Sequence, residues 1–459
     1  MSDSHSPPPH RRPFSTRFFD KDNAPARRIY LKALIGGCCL IIISIFAVFP
    51  IYWGALWKTP ERNLNGWVVD FDGGIIGQAV VRNLTADSSL SKVTFTAVSA
   101  SQFPRGPAEL ENSLLEQRTW VAVAINPGAS DRLQASYSTP NATYDGADAI
   151  TVFAAEARNE NAYRTLIRPS VDESFETIST TFALQAVMQL ASTSPDLTAL
   201  IATSPQTVIK PISFTMDNVA PFNEPVASAV TFVGLIYVLI LSFFVVMIAY
   251  GARDAAGLNR SLTLRSLILT RFATAFIAYF IVSLFYSLLT LAFQLDFTRK
   301  FGKAGFVVFW MLNWVGMLSV GLALEALITL FTARFIPFFM IIWIIVNVSV
   351  CLQPIEVLPV VYRYGYAVPF YNVSHAVRCI VFGTKNQVAM NFGILIAWAA
   401  ISCLTLPLIQ WAVRRRDVVA EQQQQQRAAS SSSAAGAGAG AGEKSVENGS
   451  SEGTVTAVA

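Results

Sequence analysis

One carboxylate, Glu325, stands inside the apolar run Phe306–Leu330. A charged side chain at mid-bilayer costs on the order of 3 kcal/mol by insertion scales, against a few tenths gained per Leu, so such a group faces other protein and finds a partner. Arg271, at the inner end of the preceding apolar run, is the expected partner. The pair reads either as a structural brace or as a titratable step in transport. Asn313 and Asn347 are amides in apolar runs, suited to hydrogen bonding between helices. Arg363 and Arg378 flank an amphipathic stretch and are candidates to meet lipid phosphates at the outer surface. Asn83, Asn141 and Asn372 open Asn-x-Ser/Thr triplets and are candidate N-glycosylation sites.

Other chemistries find no support. His-Glu-x-x-His does not occur, the Gly-x-Ser-x-Gly match at Gly449–Gly453 falls in the low-complexity tail with no strand before it to build a nucleophile elbow, and His5, His10 and His375 are the only histidines, so no catalytic, cofactor or metal residues are assigned and the chain reads as a non-enzyme. A phosphate loop is absent: Gly302-Lys303 is followed by Ala304, and Gly383-Thr384-Lys385 reverses the order. The net charge of +4 is explained by basic flanks of apolar runs and gives no case for nucleic acid. The five cysteines avoid the region between the first two apolar runs, so that region has no disulfide framework; Cys351 and Cys379 both fall near the outer face and read either as separate apolar thiols or as a pair.

These residues must be positioned by membrane helices. Hydrophobic residues make up 53% and charged residues 14%, where a soluble domain is nearer a quarter charged. Runs of about 20 apolar residues cross a bilayer as helices. They are expected at 33–53, 227–249, 272–291, 306–330, 336–352 and 392–413. The first is read as a retained signal-anchor, being a full span behind a long basic leader. Arg11, Arg12, Arg17, Lys21, Arg27, Arg28 and Lys32 precede it, and Arg414–Arg416 follow the last, which places both termini in the cytoplasm. Arg299, Lys300 and Lys303 dissent, falling outside. The fold class is therefore an α-helical polytopic membrane protein with six transmembrane helices and an extracytoplasmic α/β domain between helices 1 and 2.

In domain terms, residues 1–32 are a disordered leader, 33–53 the first span, 58–225 the outer domain, 227–413 a five-helix bundle, and 417–459 a disordered low-complexity tail. Within 58–225, strands are expected at 66–71, 92–97, 119–125 and 149–154. Helices are expected at 108–117 and 131–137, and over 156–200 with breaks near Pro169 and Ser194-Pro195. Asp70-Phe71-Asp72-Gly73-Gly74 reads as a strand-to-helix turn with Asx chemistry. Residues 258–269 suggest an amphipathic helix on the inner surface. In 367–385, Phe370, Val373, Val377 and Ile380 recur at helical spacing with Asn372, His375, Arg378 and Lys385 set apart, which suggests a re-entrant or interfacial helix or one packed on the outer domain.

The stretch Tyr362-Arg-Tyr-Gly-Tyr-Ala-Val-Pro-Phe-Tyr-Asn372 is distinctive, as are Phe382-Gly383-Thr384-Lys385-Asn386, Asn391-Phe392-Gly393, Val233-Gly234-Leu235-Ile236-Tyr237 and Phe309–Met317. Together they resemble the fungal nitrosoguanidine-resistance protein family, from the first span to the last. That family is itself similar to the membrane half of type-two ABC exporters and to the bacterial phage-infection protein group. The resemblance implies a multipass protein of the plasma membrane or secretory pathway linked to resistance against toxic compounds. Two functions are compatible with it: export of small amphiphiles without an ATPase of its own, and non-transporting regulation of lipid distribution or of other membrane proteins. The implied partners are membrane lipids, a small amphiphilic substrate, and a separate ATPase or a second copy of the chain.

Overall fold

A computed structural model describes residues 17–86, 91–193 and 197–446. The chain enters through α1 (Ala24–Val48), which continues beyond Phe49 as α2 (Pro50–Leu56). Almost none of α1 is buried by the rest of the protein; Val48 is its one buried residue. Ile42, Ile43 and Phe46 are exposed, an apolar surface that lipid would cover. The helix starts inside the stretch expected to be a disordered leader. The Arg27 guanidinium donates to the Phe18 carbonyl at 2.9 Å and ties down the preceding turn. Once the apolar run is helical, each added turn avoids the nucleation barrier.

Between the first two long apolar helices lies a mixed five-stranded sheet. Its strands are β1 (Leu64–Asp70), β2 (Val93–Val98), β3 (Val121–Ile125), β4 (Ile150–Ala154) and β5 (Phe214–Asn218), in the order β2-β1-β3-β4-β5. The first three are parallel, β4 runs antiparallel to β3, and β5 is parallel to β4. Helix α3 (Ile75–Thr85) crosses from β1 to β2, and α4 (Pro107–Leu115) follows β2 into β3; α5 (Ala129–Ser138) follows β3.

Strand alternation divides the sheet's two faces between two cores. Leu64, Val68, Val121, Val123 and Val152 pack with Ile76, Leu133 and Phe175 beneath α3, α5 and α6 (Arg168–Thr193). Val69, Ala122, Ala124 and Phe153 face the other way, toward Leu110 and Leu114 of α4. That second core does not stop at the domain edge. It runs through Ala55 and Phe222 into the membrane helices.

The helices there are α8 (Gly234–Ala255), α9 (Leu264–Ala292), α10 (Gly305–Val348), α11 (Pro369–Phe382) and α12 (Val388–Val446). Among the described residues five helices are long and apolar enough to cross a membrane, and Ala333–Val348 is a shorter apolar one. The helical run α10 is not straight. In a straight helix Gly316 and Asn347 would be about 46 Å apart at ~1.5 Å per residue. Yet the Phe370 amide donates to Asn347 Oδ1 at 3.1 Å, and Phe370 also lines a small void with Gly316. The ring centroids of Phe331 and Phe339 are 6.2 Å apart, which puts the reversal between them. Pro337 has no amide hydrogen and its ring crowds the carbonyl four residues back, so the ladder yields there.

Several local expectations are corrected. Pro169 does not break its helix: a π-turn at Tyr163–Ile167 precedes it, and the wider turn accommodates the missing donor. The Ser194-Pro195 break lies outside the described residues. Residues 258–269 do not form one amphipathic helix, because Leu258–Ser261 ends and Thr263 caps α9 by accepting from the Ser266 amide at 3.3 Å. The segment expected to be a disordered tail is helical as far as Val446, since Gln and Ala propagate a helix already started by the apolar run. Residues 447–459 lie outside the described residues.

Candidate functional site

Three membrane helices bring their charges to one point. Glu325 on α10 is buried, and its Oε1 accepts from Arg271 Nε of α9 at 2.7 Å and from Arg253 Nη2 at the end of α8 at 2.8 Å. Arg271 also donates through Nη1 to Thr329 Oγ1 at 2.8 Å, to Gln410 Oε1 of α12, and through Nη2 to the Glu325 carbonyl. Four helices are thus tied at one level by two guanidinium groups sharing one carboxylate. Buried guanidinium is tolerable only with this density of acceptors, because desolvation is costly and each donor must be matched. Gln410 and the Glu325 carbonyl supply acceptors that the single carboxylate cannot. One turn away, Tyr279 is fully buried and donates to the Ser242 carbonyl at 3.2 Å. A Cβ at Gly321 would collide with the Tyr279 hydroxyl and ring, so glycine is what lets α9 and α10 approach.

The expected pairing of Glu325 with Arg271 is present, and Arg253 joins it. Asn313 donates to Ser287 Oγ on α9 at 3.2 Å, and Asn347 joins α10 to α11 through the Phe370 amide. Both amides lie in interhelical contacts.

A second polar cluster sits where α11 meets the sheet domain. This helix is buried on nearly every side, with Phe370, Val373, Val377 and Ile380 inside and Asn372, Ser374 and Arg378 inside as well. Val373 lies against Gly316 of α10, and Ser374 Oγ donates to the Thr231 carbonyl at 2.7 Å. From the other flank Arg378 Nη1 donates to the Ala157 carbonyl at 3.0 Å and pairs with Glu160 at 2.6 Å. Gly383, at φ 70°, ends the helix in the left-handed conformation that glycine adopts without strain. Segment 367–385 is therefore not an interfacial helix with a polar face left to lipid.

This overturns two site expectations. Arg378 is paired and buried within protein, so it does not meet lipid phosphates; the sequence spacing resolves a polar stripe but not what covers it. Asn372 is no glycan acceptor, because it is buried and its Nδ2 donates to the Tyr366 and Val368 carbonyls at 3.0 and 2.9 Å. Asn83 and Asn141 are exposed on the sheet domain, and Arg363 is exposed beside α11. Cys351 and Cys379 are free and buried.

Beside Arg378, Arg158 lies over the Trp120 ring at 3.4 Å, donates to the Thr119 carbonyl at 2.8 Å and pairs with Glu356 at 3.7 Å. Burial pushes its pKa down to about 10 against the opposing charge of Glu356. Burial works to raise the Glu160 pKa, but the Arg378 charge and contact, helped by Arg164, outweigh it and hold the carboxyl below its ordinary value. Asn159 and Asn161 donate to the Leu352 carbonyl at 3.3 and 3.1 Å, closing the joint. Arg253, Gln410, Arg158 and Glu160 escape sequence reasoning. Arg253 reads as a positive flank, and only three-dimensional closure brings residues so distant in sequence together.

At Asp70–Gly74 the turn is built by Asx bonds: Asp70 Oδ1 accepts from the Asp72 and Gly73 amides, each at 2.9 Å, and Asp72 accepts from Ser130. Among the described residues no group of three or more His, Cys, Asp or Glu side chains is arranged to hold a metal.

The fold and the intramembrane ion cluster define a multipass membrane protein carrying a mixed α/β domain whose core continues into the helices. Residues 38–404 match the family described as Protein of unknown function (DUF3533), and the chain belongs to that family. It is similar to an uncharacterized endoplasmic reticulum membrane protein of Saccharomyces cerevisiae, with 25% identity over 425 residues, covering 86% of this chain and 83% of the relative. No solved structure matches it.

Proposed function

We propose that this protein protects its cell from toxic amphiphiles by transport-type export, with six membrane crossings, both termini in the cytoplasm and the sheet domain on the extracytoplasmic side. The carrying observation is the continuous core. Helix α11 is buried between the sheet domain and the bundle, so a ligand-driven shift of one displaces the other. The resemblance to the fungal nitrosoguanidine-resistance family and the exporter-like layout favour the same reading. Energy comes from a separate ATPase or from a gradient, and a second copy of the chain is a further partner. The relative's name places that protein in the endoplasmic reticulum, which favours the secretory pathway here, with the plasma membrane as the destination for export.

The alternative, a non-transporting regulator of lipid distribution or of other membrane proteins, is favoured by one observation. Glu325 Oε1 already accepts from two guanidinium groups, the arrangement of a brace rather than of a proton carrier. Purified protein in liposomes separates the two. Export predicts movement of a labelled amphiphile under a gradient or with a copurified ATPase. Absence of flux, together with altered surface lipid exposure on deletion of the gene, supports the regulator and ends the transport reading.

A further inference from the structure

On the face of the sheet domain turned away from the bundle, α3, α5, α6 and α7 (Leu197–Thr203) enclose a cleft of about 690 Å³. That volume falls within the range of small-molecule sites, roughly 300–1,000 Å³. Its floor is apolar: Phe182, Leu190 and Leu200 are buried side chains, and Ile75 is exposed at the rim. Among the described lining residues the polar groups are amides and hydroxyls with one charge, Arg82, and none is a carboxylate. Arg82 is exposed and makes no side-chain hydrogen bond or ion pair among the described residues. Tyr137 also lines the cleft, with its hydroxyl oxygen enclosed in the protein rather than open to the cleft.

We infer that this cleft binds a single-chain anionic amphiphile, its alkyl chain on the Tyr137 ring, Phe182, Leu190 and Leu200 and its acidic head at Arg82. The chemistry is complementary in both halves. A neutral or cationic head would leave Arg82 without a counter-charge, and a wholly polar ligand would leave the floor uncovered. The inference rests on the amphiphile reading above and names its substrate class. It also places capture on the aqueous side of the domain, because the opposite face of the sheet is the one merged with the membrane helices.

The test uses the full-length protein in nanodiscs with a diazirine-bearing C16 fatty acid, and the methyl ester of the same probe as the neutral control. Photolabelled peptides should contain residues 75–82, 134–140 or 182–190. Arg82→Ala should lower apparent affinity about tenfold, as for loss of a charge-assisted bond. The ester should label these peptides about tenfold less. Ala186→Trp, which fills the cleft, should abolish labelling there while labelling of the spans persists. The idea is overturned by labels confined to the spans, by an ester that labels equally well, or by labelling indifferent to Arg82→Ala and Ala186→Trp. Arg82 is exposed, so its variant folds and keeps the test decisive. Liposome flux is scored separately: flux without cleft labelling ends this inference alone, and cleft labelling without flux ends the transport reading alone.

Discussion

Glu325 carries the largest residue-scale consequence. Removing its charge leaves two buried guanidinium groups without a counter-ion, and breaking a buried pair in this way costs about 3–5 kcal/mol. Glu325→Gln should therefore lower the thermal midpoint of the detergent-solubilised protein, read by tryptophan fluorescence. Adding Arg253→Met should recover part of the loss, since one orphaned charge is removed with it. Full resistance of cells expressing Glu325→Gln at normal abundance would show that the carboxylate has no part in energy coupling. Glu160 makes a pH prediction of defined sign. Its folded pKa lies below its ordinary value of about 4.5, so its contribution to stability is present above that ordinary value and is lost as pH falls through the lower folded value. Wild-type protein should lose stability more steeply below about pH 4.5 than Glu160→Gln does. Parallel pH profiles for the two proteins would remove Glu160 from the account of the joint.

At the scale of elements, α11 is the piece on which the architecture depends. Arg378→Met should loosen the sheet domain from the bundle without unfolding either, because the two cores on the sheet's faces are largely separate. Hydrogen exchange should then rise in α11 and at 353–368 while β1 and β3 stay protected; uniform protection would contradict the joint. Gly321→Ala should destabilise by about 1–3 kcal/mol through overpacking against Tyr279, and Tyr279→Phe should give part of it back. Elements of this kind differ in how far the sequence reveals them. The long apolar helices are legible because hydropathy alone specifies them, and four strands are legible because Val-rich segments end at turn residues. Strand β5 is not, since Phe-Thr-Met-Asp-Asn is half polar and gains its place only by pairing with β4. The pairing of Glu325 with Arg271 follows from the cost of a lone charge in lipid, whereas Arg253 and Gln410 depend on where α8 and α12 come to rest. The amphipathic pattern of α11 correctly marks a helix, but what covers its polar stripe is a tertiary fact.

For the whole molecule, the decisive question is on which side of the membrane the sheet domain lies. Basic residues crowd the start of α1 and the end of the apolar part of α12, while Arg299, Lys300 and Lys303 fall at the opposite end of the bundle. Arg299 lies close to Gly383 beside α11, so those three charges belong to the end that carries the sheet domain. The two signals conflict, and the proposed orientation follows the larger basic clusters. Glycan mapping decides the matter in cells. With the domain outside the cytoplasm, Asn83 and Asn141 are exposed to the glycosylation machinery, whereas Asn372 is locked in α11 by two backbone acceptors. Glycosidase treatment should then increase gel mobility, Asn83→Gln and Asn141→Gln should each remove part of that shift, and Asn372→Gln should leave it unchanged. Protease added to intact vesicles of the secretory pathway should spare the domain and trim the basic leader. A domain cut by that protease and bare of glycans would invert the topology, put the Arg82 cleft in the cytosol, and leave capture of extracellular amphiphiles without a physical route.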